Sequence, residues 1–189
     1  MKIIAFCGSP RKGGNTEILM GKALGPLRET GHDIIEYRLN ILNIRPCQDC
    51  GGCVETGVCV LDDDMTGIIA AIRAADRIIL ASPIFFYSLS AQTKAMVDRC
   101  QCLWCEKYLL KKPIPPGPRG RKGLLLLVGG MKKEDASHCA EATAKAFFRT
   151  VSVPEHEILS CGGVDGRGDM ENHPTALQDA REAGRRLSL

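Results

Sequence analysis

Short apolar runs recur along the chain, and most are followed by a polar turn and a stretch with helical spacing. KIIAF (Lys2–Phe6) ends at Gly8-Ser9-Pro10 and predicts a buried strand that runs into a loop. Asn15 or Thr16 can then cap a helix to about Thr30, with Ile18, Leu19, Ala23, Leu24 and Leu27 on its apolar side and Gly31 as its stop. DIIEYRL (Asp33–Leu39) alternates as a second strand. Asp62, Asp63 and Asp64 precede the next helix, where acids favour the positive end of the helix dipole. DRIILAS (Asp76–Ser82) is a third strand, followed by the loop PIFFYSLSA and one long helix from about Ala91 to Leu110. LLLLV (Leu124–Val128) and HEILSC (His156–Cys161) supply strands four and five, with helices over about Glu134–Val151 and Pro174–Leu187.

Strands that alternate with helices in this way build βαβ units and a parallel sheet covered on both faces. The fold class is α/β, and five strands suit the doubly wound order 2-1-3-4-5. No repeat or break divides the chain, so residues 1–189 are expected to form a single domain, with residues 47–59 inserted after strand 2. In this order strand 2 lies at an edge, which sets the insertion to one side of the switch point between strands 1 and 3. A group held there could serve a neighbouring subunit as well as its own.

Composition narrows the chemistry. The 189 residues are 44% hydrophobic and 25% charged with a formal net charge of +3, which gives no reason to expect nucleic acid as a partner. The longest apolar runs fall far short of the roughly 20 residues that span a bilayer, and the first residues lack the apolar core of a signal peptide. A cytoplasmic location follows, where thiols stay reduced, so ten cysteines point to metal or redox chemistry.

Two loops qualify as a cofactor site. GSPRKGGNT (Gly8–Thr16) joins strand 1 to its helix, and the helix start turns unpaired N–H groups towards an anion. Ser9 and Thr16 add hydroxyls, Asn15 an amide, and Arg11 and Lys12 positive charge. The loop lacks the Lys-Ser/Thr of nucleotide hydrolases and the G-x-G-x-x-G of dinucleotide sites, which leaves a cradle for one phosphate monoester, as in FMN. Ser82, Pro83, Ile84, Phe85, Phe86 and Tyr87 end strand 3 beside it and offer apolar and aromatic surface to a flavin ring. Gly129 and Gly130 end strand 4 and would let a third loop approach.

The second chemical feature is CQDCGGCVETGVC, with Cys47, Cys50, Cys53 and Cys59 spaced C-x2-C-x2-C-x5-C. Four close thiolates suit a [4Fe–4S] cubane. They also suit structural zinc, although zinc pairs are usually two knuckles further apart. A segment that holds neither is the third reading. Cys100, Cys102 and Cys105 on a helix would not all face one metal at 100° per residue, so packing with Trp104 is expected of them. His32, His138, His156 and His173 fall in no metal or nucleophile motif.

GSPRKGGNT, the cysteine segment running on to DDDM, and ASPIFFYSLSAQTKAMVDR (Ala81–Arg99) together resemble the NADPH-dependent FMN reductase superfamily of flavodoxin-like proteins. Within it they most resemble the iron–sulfur flavoproteins. GGVDGRGDM (Gly162–Met170) adds a looser similarity. The resemblance implies a flavodoxin-like fold, FMN, electron transfer to a [4Fe–4S] cluster on the four cysteines, and a homo-oligomer, dimer or tetramer. It admits NAD(P)H or a ferredoxin-like protein as electron donor. A cluster-free NAD(P)H-dependent FMN or quinone reductase is the alternative enzyme. A non-enzymatic electron carrier and a zinc-braced binding domain are the alternatives of other classes.

Overall fold

The computed structural model describes residues 1–132 and 134–189. Its parallel sheet follows the hydrophobic runs: β1 (Lys2–Cys7), β2 (Asp33–Arg38), β3 (Arg77–Phe85), then a short β4 (Ser88–Leu89), β5 (Lys122–Val128) and β6 (Glu155–Cys161). The spatial order is β2-β1-β3-β5-β6, with β4 paired to β3 alone. Counting the five parallel strands, this is the doubly wound order expected from the pattern, with β2 at an edge.

Helices cover both faces. α1 (Asn15–Glu29) and α6 (Ala176–Leu187) pack on one, and α2 (Met65–Ala74), α3 (Ala91–Arg99) and α5 (His138–Thr150) on the other. The central strands read as unbroken apolar runs because both faces are buried: Ile3, Ala5, Ile79, Leu124 and Leu126 face α1 and α6, whereas Ile4, Phe6, Ile78, Leu80, Leu125 and Leu127 face the other layer. Among the described residues no helix is long and apolar enough to cross a membrane.

Three expectations are corrected. The first helical residue of α1 is Asn15, and Gly14 occupies the cap position without a side-chain cap. The Asn15 amide is engaged elsewhere, as described below. β3 extends three residues beyond Ser82, because its ladder with β5 continues to Pro83↔Val128 and Ile84 and Phe85 then pair with Leu89 and Ser88. The turn of that hairpin is Phe86-Tyr87, with φ of 48° and 64°. These are left-handed values that a two-residue hairpin turn needs and that bulky residues rarely adopt.

The long helix after Ser90 is not continuous. α3 stops at Arg99, a short α4 (Gln101–Trp104) restarts, and Cys105–Leu109 form a π-helical turn in which the Leu110 N–H reaches back to the Cys105 carbonyl. The break falls where Arg99 is drawn inward by partners on the cysteine-bearing segment.

α1 and α6 meet so closely that a Cβ on Gly184 would lie 2.0 Å from the Ala23 carbonyl oxygen. Gly184→Ala should therefore lower stability by about 1–3 kcal/mol through overpacking. Gly21, on the same α1 but with nothing within 4 Å of its missing Cβ, should give the opposite sign as Ala, a gain of roughly 0.5–1 kcal/mol from helix propensity. Urea unfolding of the two variants measures both.

Candidate functional site

The carboxyl ends of β1, β3 and β5 open into one cleft. It is lined by Ser9, Pro10, Arg11, Asn15, Thr16, Pro83, Ile84, Phe85, Val128, Gly129, Gly130, Val164 and Asp165. The loop after β1 therefore meets the ends of β3 and β5, which is where a doubly wound sheet binds its ligand.

The loop is held from within. The Ser9 hydroxyl accepts the Arg11 N–H at 3.2 Å, and the Gly14 N–H donates to the Arg11 carbonyl at 3.2 Å. Glu17 folds back to accept the Gly13 N–H at 2.7 Å. The backbone N–H groups of Asn15, Thr16 and Glu17 have no acceptor among the described residues, so the helix start presents its free donors at the cleft. Gly129 and Gly130 are needed for closeness: a Cβ on the first would come 3.2 Å from Ile84 Cβ, and on the second 3.1 Å from Asp165 Cβ.

Ser9, Arg11, Asn15, Thr16, Pro83, Ile84, Phe85, Gly129 and Gly130 are thus brought together. Four other residues expected at the site are not. Lys12 is exposed beyond the cleft, and its carbonyl accepts from Arg167 at 3.3 Å. Ser82 is fully buried, accepting the Ser90 N–H at 3.0 Å and donating to the Pro83 carbonyl at 2.8 Å. Phe86 and Tyr87 form the hairpin tip, with Phe86 wholly exposed.

Sequence reasoning missed the floor of the cleft. Asn15 donates to the Gly166 carbonyl at 2.8 Å and accepts the Met170 N–H at 3.3 Å, and Arg11 donates to the Asp165 carbonyl at 3.3 Å. The GGVDGRGDM stretch is therefore part of the site, and its glycine density after the last strand was the available signal.

A second hollow lies beside α3 and α4. Cys47, Cys50, Cys53 and Cys59 line it together with Arg99, Gln101, Cys102 and Cys105. Cys47 and Cys50 are exposed, Cys53 and Cys59 half-buried, and Cys102 and Cys105 buried. Cys100 and Cys102 pack in the core, as expected. Cys105 does not only pack: its Sγ lies 3.7 Å from Cys53 Sγ, because the helix break and the π turn bring it round to the cysteine loop. Gly57, at φ 70°, backs onto Glu106 of the same turn. Burial and the neighbouring Cys105 thiol push Cys53 up to about 12, and burial pushes Cys102 up to about 11.

Among the described residues no three His, Cys, Asp or Glu side chains are gathered around one metal position. The donor set itself fits an iron–sulfur cluster, with four thiols on one short loop facing a shared hollow, and binding would have to release their protons. The cleft fits FMN in the same chemical sense: free N–H donors and Arg11 for a phosphate, and Pro83, Ile84 and Phe85 for an apolar ring.

The cysteine segment is tied down by one buried ion pair. Arg99 and Asp63 have side-chain exposures of 1% and 0% and meet at 2.6 Å and 3.1 Å. Arg99 also donates to the carbonyls of Arg45 at 2.7 Å and Leu61 at 3.3 Å. Asp63 accepts the N–H groups of Arg45 and Met65. Asn40 ties the start of the cysteine-bearing segment to the loop after β1 and to α3, donating to the Pro10 carbonyl and accepting from Gln92.

Residues 1–163 match the family described as NADPH-dependent FMN reductase, and the chain belongs to that family. Within it the similarity runs to proteins named iron–sulfur flavoproteins. One from Methanocaldococcus jannaschii is 40% identical over 194 residues, covering 100% of this chain and 96% of the relative. One from Methanosarcina thermophila is 38% identical over 132 residues, 70% of this chain but only 65% of the relative's length. Among solved structures, an NAD(P)H:quinone oxidoreductase from Methanothermobacter marburgensis superposes with a TM-score of 0.74 at 19% identity, covering 100% and 98% of the two chains. An FMN-dependent NADH-azoreductase from Bacillus anthracis, in complex with FMN, gives 0.72 at 14% identity with 100% and 99% covered. These two share the fold.

Asn15→Ala should free the Gly166 carbonyl and the Met170 N–H at once, lowering stability by about 1–3 kcal/mol and raising the hydrogen-exchange rate of the Met170 amide selectively. Asp63 adds a pH dependence. Burial alone would raise its carboxyl, but Arg99 and the two N–H groups hold it below its ordinary value. That contribution is complete above the unfolded carboxylate pKa of about 3.9 and is lost as pH falls through the depressed folded value. Urea midpoints from pH 6 downwards should therefore fall more steeply in the parent than in Asp63→Asn.

Proposed function

We propose that residues 1–189 form one FMN-dependent oxidoreductase unit in which FMN occupies the cleft and a [4Fe–4S] cluster is held by Cys47, Cys50, Cys53 and Cys59. FMN supplies two-electron or hydride chemistry and single-electron release, and a cubane carries one electron at a time, so the pair joins donors and acceptors that differ in electron count. The observation that carries this reading is the coincidence of free helix-start N–H groups, an apolar β3 end and a third glycine loop in one cleft of a chain from an FMN reductase family.

In this reading the N–H groups of Asn15, Thr16 and Glu17 and the Arg11 guanidinium bind the phosphate. Pro83, Ile84 and Phe85 orient the ring and exclude water from one side. Gly129 and Gly130 admit the ring to the floor formed by Val164 and Asp165. No side chain need act as nucleophile or proton donor. NAD(P)H or a ferredoxin-like protein would supply electrons. A homo-oligomer suits the lateral position of the cysteine loop, because a second copy would bring another flavin near it. The exposed Phe86 tip favours the same arrangement.

The second reading is a cluster-free NAD(P)H-dependent FMN or quinone reductase. It is favoured by the cysteines, of which no three are gathered at one point among the described residues.

Iron, acid-labile sulfide, zinc and FMN per chain, measured on protein purified without oxygen, separate the two. Four irons and four sulfides with one FMN are expected. FMN with no iron after anaerobic reconstitution selects the cluster-free reductase, and zinc in place of iron makes the segment a structural clasp. Arg11→Ala should weaken FMN binding about tenfold, a loss of roughly 1.4 kcal/mol, and leave riboflavin binding unchanged, as read by flavin fluorescence titration.

A further inference from the structure

Two buried arginines carry an Nε–H with no acceptor among the described residues, Arg99 and Arg121. Their surroundings differ. Arg121 spends its terminal nitrogens on the carbonyls of Ala75 and Ile72 at the far end of the sheet and lines none of the hollows described above. Arg99 lines the hollow of the four cysteines. Its terminal nitrogens are fully committed to Asp63, Arg45 and Leu61. This leaves the Nε–H as its one free donor, and Cys59 lines the same hollow.

A buried N–H left without an acceptor costs about 1–3 kcal/mol, more when the group is charged. Asp63 accepts from both terminal nitrogens of the guanidinium, so the free Nε edge is held in a fixed direction. Two charged residues line the hollow, Arg99 and Asp49; Arg99 is the buried one, fixed by Asp63, whose carboxylate also has the Arg45 Nε at 3.7 Å. The arrangement is a fixed cationic donor at a hollow lined by cysteines.

We propose that Arg99 sets the reduction potential of the cluster, donating its free Nε–H to sulfur on the Cys59 side and placing its charge against the added electron, with Asp63 holding it in position. This rests on the cluster reading above. A cluster held there would gain one negative charge on reduction, and a fixed positive charge at the hollow would offset it. Hydrogen bonds to sulfur and net charge near a cluster are the protein's two main controls on its potential. Arg99 supplies both.

The test is a redox titration of the full chain, purified without oxygen, followed by the visible spectrum. Arg99→Gln removes donor and charge and should lower the cluster midpoint by at least the equivalent of a tenfold change in equilibrium constant, 59 mV for one electron. Asp63→Asn leaves the guanidinium uncompensated and should raise it. Opposite signs support the proposal. A general loosening of the loop would move both variants the same way, and that result, or no shift in either with iron retained, overturns it. If Arg99→Gln does not hold iron, Arg99→Lys replaces it with the same expected sign, and a rise in Asp63→Asn alone also supports the proposal. If all three variants fold but lose iron, the pair serves only to hold the loop and the proposal fails. Parent protein with FMN but no iron would sink the cluster reading itself, a result distinct from iron present and potentials unmoved.

Discussion

The buried pair between Arg99 and Asp63 is the contact on which the cysteine-bearing segment depends. Residues 39–64 form no strand and only one short 3-10 turn, so they have few backbone partners of their own. What orders them is a guanidinium at the end of α3 that reaches the backbone at Arg45 and Leu61 and the carboxylate of Asp63 together. Removing either partner would leave a charge stranded in a dry place, which is costlier than never having buried the pair.

The cleft is built on a different principle. Its walls are strand ends whose positions follow from the parallel sheet, and its specificity comes from how closely backbone can approach backbone. Glycines at 129 and 130 bring the β5 end against Ile84 and Asp165, and the amide of Asn15 ties the helix start to the segment after β6. One site depends on charge and the other on the absence of side chains. Asn40 touches elements of both.

The sheet order was legible because buried parallel strands read as continuous apolar runs, and the phosphate loop because glycines and a helix start leave a local signature. Ser82, Phe86 and Tyr87 looked equivalent to their neighbours in sequence, yet alternation along β3 and a left-handed turn at 86–87 send them elsewhere. That distinction needed the strand boundary, which pairing with β4 sets and local composition does not. Arg99 was hidden for a related reason. It ends a quoted motif, but its role depends on Asp63, 36 residues earlier in the chain. An unbroken helix through Cys100 would leave Cys105 to packing, and the break there turns it to Cys53.

The interruption of that helix has an evolutionary consequence. A π turn departs locally from α-helical spacing and so changes the phase between the faces before and after it. The face of α3 that packs on the sheet and the face of residues 102–109 that meets the cysteine loop are therefore out of phase with each other. Substitutions at Gln101 or Cys105, which line the hollow but stand outside the core beneath α3, need not disturb that core. A lineage could gain, alter or lose chemistry at that hollow while the flavin cleft and the sheet stay as they are.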